Sequence, residues 1–203
     1  MTTYIIIAIT SIISYMAFNN YNMKLRMMFI PYTVHHNKEY QRIITHTFIH
    51  ADWMHLLFNM FVLLNFGVVL EKQFVLMEVA QPELHFVLLY FGAALFSTII
   101  PFGRHKNNPN YMALGASGCV SGVLFAYICI LPSTPLTFIF FPFFSIPAYI
   151  IGLLYLAYEY YMDKKGGSGI AHDAHIGGAI FGIAFMCLFH FNEVKLAISA
   201  LFY

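Results

Sequence analysis

The sequence predicts an all-α membrane protein, a bundle of six transmembrane helices. Its 203 residues are 60% hydrophobic, 18% aromatic and only 9% charged, whereas soluble domains have about 25% charged residues. The few charges cluster, which leaves several uncharged runs near or above the roughly 20 apolar residues that a helix needs to cross a bilayer. The net charge of +1 favours neither a nucleic-acid partner nor a strongly basic membrane-surface patch. The lipid bilayer is therefore the expected environment.

The six spans are expected to form a single domain over residues 1–203. Their expected bounds, in order, are about 4–18, 53–70, 84–101, 115–131, 136–158 and 174–191. The first lacks the basic flank and the cleavage site of a removable signal peptide. In the fifth, Pro142 and Pro147 indicate a kink or a late helix start.

The segments between the spans are polar or short. The first connector contains the apolar run Met27–Val34, which is too short to span and is expected to lie at the membrane interface. Polar loops follow at Gly103–Asn110 and Asp163–Gly169. The cysteines lie in apolar runs without CxxC spacing, which predicts packing residues rather than disulfides or metal ligands; they are Cys119, Cys129 and Cys187.

Polar residues gather at the start of three expected spans. They are His50, His55 and Asn59 at the second, Gly115-Ala116-Ser117-Gly118 at the fourth, and His172-Asp173-Ala174-His175 at the sixth. Polar side chains at membrane depth are costly unless they are paired or line a cavity, so each group is a candidate functional site. Because successive spans alternate in direction, all three starts lie on one side of the membrane. A single serine, glycine or histidine here is usually structural, but their coincidence favours one shared site.

Ser117 has the surroundings of a nucleophile. Gly115 and Gly118 leave its hydroxyl unobstructed, and free N–H groups at a helix N-terminus stabilise a developing anion. A serine needs a base to accept its proton, and a neutral imidazole is the usual base near pH 7. His175 is the candidate base.

Close packing of two helices is expected to bring these residues together. Gly118 and Gly122 match the GxxxG spacing, as do Gly178 and Gly182, and such small residues let membrane helices approach closely. The fourth and sixth spans are therefore expected to pack against each other.

The sequence favours a pair of catalytic residues over a triad. Asp173 is two positions from His175 and so points elsewhere on a helix. His55 and Asn59 are four apart and share a helical face. Together with the Ser117 N–H they are candidate donors to an oxyanion, where loss of one donor costs about 3–4 kcal/mol.

On these motifs the chain resembles the rhomboid family of intramembrane proteases from Gln41 to Phe185. The motifs are His50-x4-His55-x3-Asn59, Gly115-Ala116-Ser117-Gly118 and Ala174-His175-Ile176-Gly177-Gly178. Their order, spacing and placement on the second, fourth and sixth spans agree with the family. The resemblance implies a six-helix rhomboid-like bundle in which Ser117 is the nucleophile and His175 the base. His55 and Asn59 would form the oxyanion hole, with support from Gly115, Gly118 and His50.

The resemblance also implies a substrate and a mechanism. Substrates would be single-span membrane proteins, cut within or next to the span through an acyl-enzyme, without a cofactor or a metal. Two positions depart from the family. Gln41 precedes Arg42 where the family often has tryptophan, and Ser121 stands where some members place an aromatic residue under the histidine ring.

Other functions stay open. A histidine-lined metal or proton transporter would use His50, His55, His172 and His175, and a rhomboid-like protein without activity would bind membrane clients. An HExxH zinc motif is absent from the sequence. The only aspartates are Asp52, Asp163 and Asp173, near span ends or in loops, which disfavours an aspartyl protease.

Topology gives conflicting indications. The family topology puts the N-terminus in the cytoplasm and most of the lysines and arginines outside, whereas the positive-inside rule predicts the reverse. No Arg-rich leader is visible in the sequence, which favours a bacterial plasma membrane over an organelle. The natural substrate and the oligomeric state are not indicated.

Overall fold

In a computed structural model of the chain, residues 1–138 and 141–202 are described. The helices are α1 (Thr2–Phe18), α2 (Tyr21–Met27), α3 (Pro31–Asn37), α4 (Arg42–Thr45), α5 (Trp53–Leu76), α6 (Pro82–His105), α7 (Ser117–Ile130), α8 (Ala148–Lys165), α9 (His172–Phe189) and α10 (Phe191–Ser199). A 3-10 turn follows α4 at His46–Phe48, and strands β1 (Pro135–Phe138) and β2 (Phe141–Pro147) precede α8. The protein is mostly helical, as predicted.

The predicted count of six spans is confirmed only in part. Three helices of the described chain, α5, α6 and α9, are long and apolar enough to cross a membrane. The apolar helices α1 and α7 are shorter, and α8 carries four charged residues toward its end, Glu159, Asp163, Lys164 and Lys165. The structure therefore supports a membrane-embedded helical bundle without fixing how many helices span it.

The expected fifth span, 136–158, is wrong in its first half, and the fold is not entirely helical. The antiparallel strands β1 and β2 pair from Pro135 opposite Pro147 to Phe138 opposite Phe141. Proline disfavours a helical conformation in the residue before it and removes an N–H donor, so the helix begins only at Ala148. Ile139 and Phe140, which also belong to the expected span, lie outside the described residues.

The other helices begin close to the predicted positions. The Asp52 carboxylate caps α5 by accepting a hydrogen bond from the His55 N–H at 2.8 Å, and Pro82 occupies the first turn of α6. Both helices extend several residues beyond their expected ends. The sixth expected span, 174–191, ends at Phe189, because the backbone turns at His190 before α10.

The predicted glycine packing between the fourth and sixth spans is confirmed. A Cβ atom placed on Gly178 would lie 1.9 Å from the Gly118 carbonyl oxygen, and one on Gly182 would lie 2.1 Å from the Gly122 carbonyl oxygen. Helices α7 and α9 therefore touch backbone to backbone. Helix α7 is buried along most of its length, which places its first residue inside the bundle rather than on its surface.

The first connector folds around a buried arginine. The Arg42 guanidinium donates hydrogen bonds to the carbonyl oxygens of Leu25 at 2.7 Å and Met28 at 2.8 Å, and pairs with Glu39 at 2.5 Å. Phe29 exchanges two backbone hydrogen bonds of 2.9 Å with Ala113. The connector is thus joined to the segment that precedes α7. That the run Met27–Val34 lies at the membrane interface stays a prediction.

Candidate active site

Ser117 and His175 meet in the structure. Ser117 is the first residue of α7, and His175 lies in the first turn of α9. The Ser117 Oγ and the His175 Nε2 are 2.7 Å apart, a hydrogen-bond distance. The glycine contacts between α7 and α9 hold the two helix starts side by side, so the expected pairing is present in the geometry.

A network of backbone hydrogen bonds fixes the chain just before Ser117. Gly115 adopts a φ of +119°, which L side chains rarely allow, and its N–H donates to the His46 carbonyl oxygen at 3.0 Å. The next N–H, that of Ala116, donates to the His50 Nε2 at 3.3 Å. The sharp turn into α7 therefore depends on glycine and on two histidine residues.

His50 supports this turn and is not free to act as a ligand. The Ser14 hydroxyl donates to the Phe48 carbonyl oxygen at 2.9 Å and lies 2.9 Å from the His50 Nδ1. The hydroxyl has one hydrogen, so Nδ1 donates to it and Nε2 accepts from Ala116. Burial lowers the pKa of His50 to about 3, which keeps the ring neutral, and the two hydrogen bonds set its tautomer.

His55 lies beside the turn before Ser117, and Asn59 lies one turn further along α5. The His55 ring lies against Gly115, where a Cβ atom would come within 2.7 Å of the His55 Cε1. The buried Asn59 amide donates to the His55 carbonyl oxygen of its own helix at 2.8 Å. His55 thus lies beside the turn before Ser117, while one Asn59 hydrogen is already engaged. Their role in an oxyanion hole stays a prediction.

Gly118 allows α6 to approach the site. A Cβ atom on Gly118 would lie 2.5 Å from the Ser97 Cβ and 3.4 Å from the Ala174 carbonyl oxygen. Beside Ser117 and Gly118 is a small cavity of about 20 Å³, lined also by Ser97 and Thr98. A volume of this size accommodates about one water molecule.

The sequence prediction missed Glu159. This carboxylate is buried, and its Oε1 lies 3.0 Å from the His175 Nδ1 while its Oε2 lies 2.5 Å from the His172 Nδ1. The approach to His175 does not have the direction of a regular hydrogen bond. The expectation that Asp173 points away is confirmed, since it pairs with Arg104 at 3.2 Å. Glu159 was overlooked because the expected fifth span ended one residue before it.

Tyr155 supplies the aromatic support that Ser121 lacks. Its ring stacks on His175 with 6.4 Å between ring centroids and 23° between ring planes. The Tyr155 hydroxyl lies 2.7 Å from the Ser121 Oγ. Tyr155 and Glu159 are four residues apart on α8 and share one helical face. Helix α8 therefore contacts His175 twice.

The same cluster contains a candidate metal-ligand set, which includes His172 and His175 of the transporter alternative together with Glu159, which the sequence did not predict. One ligand atom each from Glu159, His172 and His175 lie within 4.8 Å of one another. A carboxylate and two imidazoles are ligands that Zn²⁺ accepts. In the structure the Glu159 carboxylate contacts both imidazole rings directly. A cluster held together by hydrogen bonds, without a metal, has the same arrangement.

Comparison with known proteins places the chain in a family. A family model for the rhomboid domain matches residues 37–192, and the chain belongs to this family. It is 30% identical over 145 residues to the presenilin-associated rhomboid-like protein, mitochondrial, of Bos taurus, covering 71% of this chain and 37% of that protein. It is 29% identical over 157 residues to the RHOMBOID-like protein 12, mitochondrial, of Arabidopsis thaliana, covering 68% of this chain and 43% of that protein.

A third relative, the YdcA protein of Bacillus subtilis (strain 168), is 31% identical over 93 residues, covering 45% of this chain and 42% of that protein. The chain thus spans about two-fifths of the length of the relatives it matches. Family membership and the apolar helices indicate an integral membrane protein. The first two relatives are mitochondrial by name, so the comparisons do not support the bacterial plasma membrane that the sequence suggested.

Proposed function

We propose that the protein is an intramembrane serine endopeptidase in which Ser117 is the nucleophile and His175 the general base. The observation that carries the proposal is the 2.7 Å contact between the Ser117 Oγ and the His175 Nε2 within a bundle of the rhomboid family. A serine hydroxyl becomes a nucleophile when an adjacent base accepts its proton. This contact supplies that base at hydrogen-bond distance.

The reaction would proceed in two displacements. His175 accepts the hydroxyl proton as Ser117 Oγ attacks the scissile carbonyl carbon, and the protonated ring then gives that proton to the leaving amine. The first product departs and leaves an acyl ester on Ser117. A water molecule, deprotonated by His175, hydrolyses the ester and returns the serine hydroxyl. The cavity beside Ser117 has room for about one such water molecule.

Charge on the attacked carbonyl oxygen would be stabilised at the start of α7. The first N–H groups of a helix have no acceptor within the helix and point outward. Ser117 begins α7, and the His55 ring lies beside the preceding Gly115. We assign the oxyanion site to the Ser117 N–H and the side chains of His55 and Asn59.

The substrate class follows from the setting of the site. Ser117 begins a buried apolar helix, and most neighbouring helices are apolar, so a substrate reaches it from the bilayer. We assign as substrates membrane proteins with a single transmembrane segment, cut where small or polar residues let that segment unwind. An extended strand is required, because a helical segment keeps its carbonyl groups in intrahelical hydrogen bonds.

Cleavage of a single-span reporter by the purified protein in liposomes tests the proposal. Wild type is compared with Ser117→Ala and His175→Ala. The matched controls are Ser11→Ala in α1 and His85→Ala at the start of α6, where the His85 ring contacts Phe185 of α9. We expect wild type and both controls to cut, and neither site variant to do so. Cutting by folded Ser117→Ala would overturn the proposal.

A metal transporter is the second candidate, because Glu159, His172 and His175 form a possible ligand set. Of the other histidines assigned to it, His50 has both ring nitrogens engaged. A transporter would show bound zinc or ion flux that is indifferent to Ser117→Ala. A rhomboid-like client-binding protein would instead bind single-span proteins without cutting them.

A further inference from the structure

A directed chain of hydrogen bonds leads to His175 from the loop before α9. The Ile170 N–H donates to the Ser168 Oγ at 3.2 Å, and this Oγ lies 2.8 Å from the His172 Nε2. The His172 Nδ1 then lies 2.5 Å from the Glu159 Oε2. The other carboxylate oxygen, Oε1, lies 3.0 Å from the His175 Nδ1.

The direction of the protons in this chain follows from its carboxylate. An ionised carboxylate only accepts, so the His172 Nδ1 carries a hydrogen and donates it to the Glu159 Oε2. In the neutral His172 ring Nε2 is then an acceptor, and it receives the hydroxyl hydrogen of Ser168, whose oxygen accepts from the Ile170 N–H. The carboxylate keeps one free acceptor, Oε1, directed at His175.

We propose that Glu159 is the positioning carboxylate of His175, anchored through His172, so that the site works as a Ser117–His175–Glu159 triad. The proposal rests on the proposed protease function. It replaces the pair that the sequence favoured, in which Asp173 was the only carboxylate considered and was excluded. Glu159 reaches His175 from a different helix, α8, instead of from the same turn.

A carboxylate at this position assists the chemistry. For His175 Nε2 to accept the Ser117 proton, the ring hydrogen must sit on Nδ1, and a carboxylate opposite Nδ1 selects that tautomer. When Nε2 takes the proton, the ring becomes a cation, and a fixed anion 3.0 Å away stabilises it. Burial of Glu159, at 4% exposure, strengthens this interaction because little water screens it.

The imperfect direction of the contact fits this role. Catalytic hydrogen bonds are often poorly aligned without substrate and become shorter and straighter when substrate binds. The Tyr155 ring packs on His175 from one turn earlier on α8, which limits how far the imidazole turns.

A purely structural role for Glu159 makes a different prediction. Glu159 is one of three buried residues of α8, with Ala148 and Gly152, and its bond to His172 ties α8 to α9. In that case its replacement would lower stability and the folded fraction, but kcat per folded molecule would stay at the wild-type value. A positioning role lowers kcat per folded molecule with little change in KM, because substrate does not touch the carboxylate.

The test compares wild type with Glu159→Gln and Glu159→Asp in the liposome reporter assay, at several reporter concentrations. The matched control is Glu71→Gln, which alters another buried carboxylate, one that accepts backbone hydrogen bonds from Thr2 and Thr3 at the start of α1. Folding is checked by thermal melting. Reaction of Ser117 with a fluorophosphonate probe gives a second readout that needs no peptide substrate.

We expect Glu159→Gln to lower kcat and the probe reaction rate by about 100-fold, equivalent to about 2.7 kcal/mol, with KM changed less than about twofold. Glu159→Asp keeps the charge on a shorter side chain and is expected to lose only about tenfold. Glu71→Gln should leave kcat unchanged.

Folded Glu159→Gln with kcat within twofold of wild type would overturn the proposal, and so would equal losses in both Glu159 variants. Should Glu159→Gln fail to fold, Glu159→Asp decides, because an unchanged kcat there would also overturn it. Failure of the proposed function looks different. Wild type would then neither cut the reporter nor react with the probe, or Ser117→Ala would cut as well as wild type.

Discussion

Replacing Gly178 by alanine tests whether the spacing of α7 and α9 sets the geometry of the site. The added Cβ would lie 1.9 Å from the Gly118 carbonyl oxygen, which belongs to the backbone and cannot rotate away. Restoring a contact of about 3.4 Å requires the helices to separate locally by roughly 1.5 Å. Ser117 lies one residue before Gly118, and His175 lies three before Gly178, so the separation falls on the site.

Two opposing contributions decide how Gly178→Ala changes the free energy of unfolding. Alanine in place of glycine favours a helix by up to about 1 kcal/mol, whereas overpacking a tight contact costs about 1–3 kcal/mol. The overpacking term is expected to win, because the clash is between two backbones. The 2.7 Å contact between Ser117 and His175 would lengthen to about 4 Å, beyond hydrogen-bond range. General-base catalysis contributes about 10²- to 10⁴-fold, so kcat should fall at least 100-fold.

The assay is reporter cleavage in liposomes together with thermal melting in detergent. Gly103→Ala is the matched control, because Gly103 also lies in a helix and a Cβ there meets nothing within 4 Å. It should keep wild-type activity and equal or greater stability. If Gly178→Ala retains kcat within a few-fold of wild type, the α7–α9 contact does not set the catalytic distance.

Three further substitutions probe the support of the site. Tyr155→Leu removes the ring that stacks on His175 and should lower kcat by up to about tenfold, since such contacts contribute about 0.5–1.5 kcal/mol; Tyr155→Phe keeps the ring and should stay within threefold in the same cleavage assay. Burial lowers the pKa of His50 to about 3, so the folded ring stays neutral while the unfolded one binds a proton below about pH 6.5. Through this residue the free energy of unfolding should therefore fall by about 1.4 kcal/mol per pH unit as the pH drops from 6.5 toward 3. His50→Gln should flatten the decline in melting temperature between pH 7 and pH 5. An unchanged slope would contradict the neutral, buried state of His50. Arg42→Ala leaves the Leu25 and Met28 carbonyl oxygens without their donor and should cost about 1–3 kcal/mol, seen as a lower melting temperature, while the exposed Arg26→Ala should melt like wild type.

Much of the site could be predicted because its residues cluster at helix starts. The GxxxG spacings, the glycine-flanked Ser117 and the histidine at the start of α9 are local patterns, and packing of α7 on α9 follows from small residues alone. The expected alternation of spans then predicts that distant parts of the chain meet on one side of the membrane. These features required no knowledge of how loops fold.

What could not be predicted depends on contacts between distant segments. Glu159 and Tyr155 contact His175 from α8, and which side of α8 faces His175 depends on where that helix begins. Composition alone could not distinguish a continuous helix over 136–158 from two strands followed by a helix at Ala148, because an apolar, aromatic-rich stretch is compatible with either. Similarly, His50 was expected to support the site, but its partners Ser14 and Ala116 lie 36 and 66 residues away.

The most direct measurement is fluorophosphonate labelling of the purified protein in liposomes, with the modified residue located by mass spectrometry. An activated serine reacts with such a probe, whereas an ordinary serine does not. The account predicts one label, on Ser117, which is lost in folded His175→Ala and kept in His85→Ala. Absence of labelling on Ser117 in the folded wild-type protein, or labelling that persists in His175→Ala, would contradict the pairing of Ser117 with His175 as nucleophile and base.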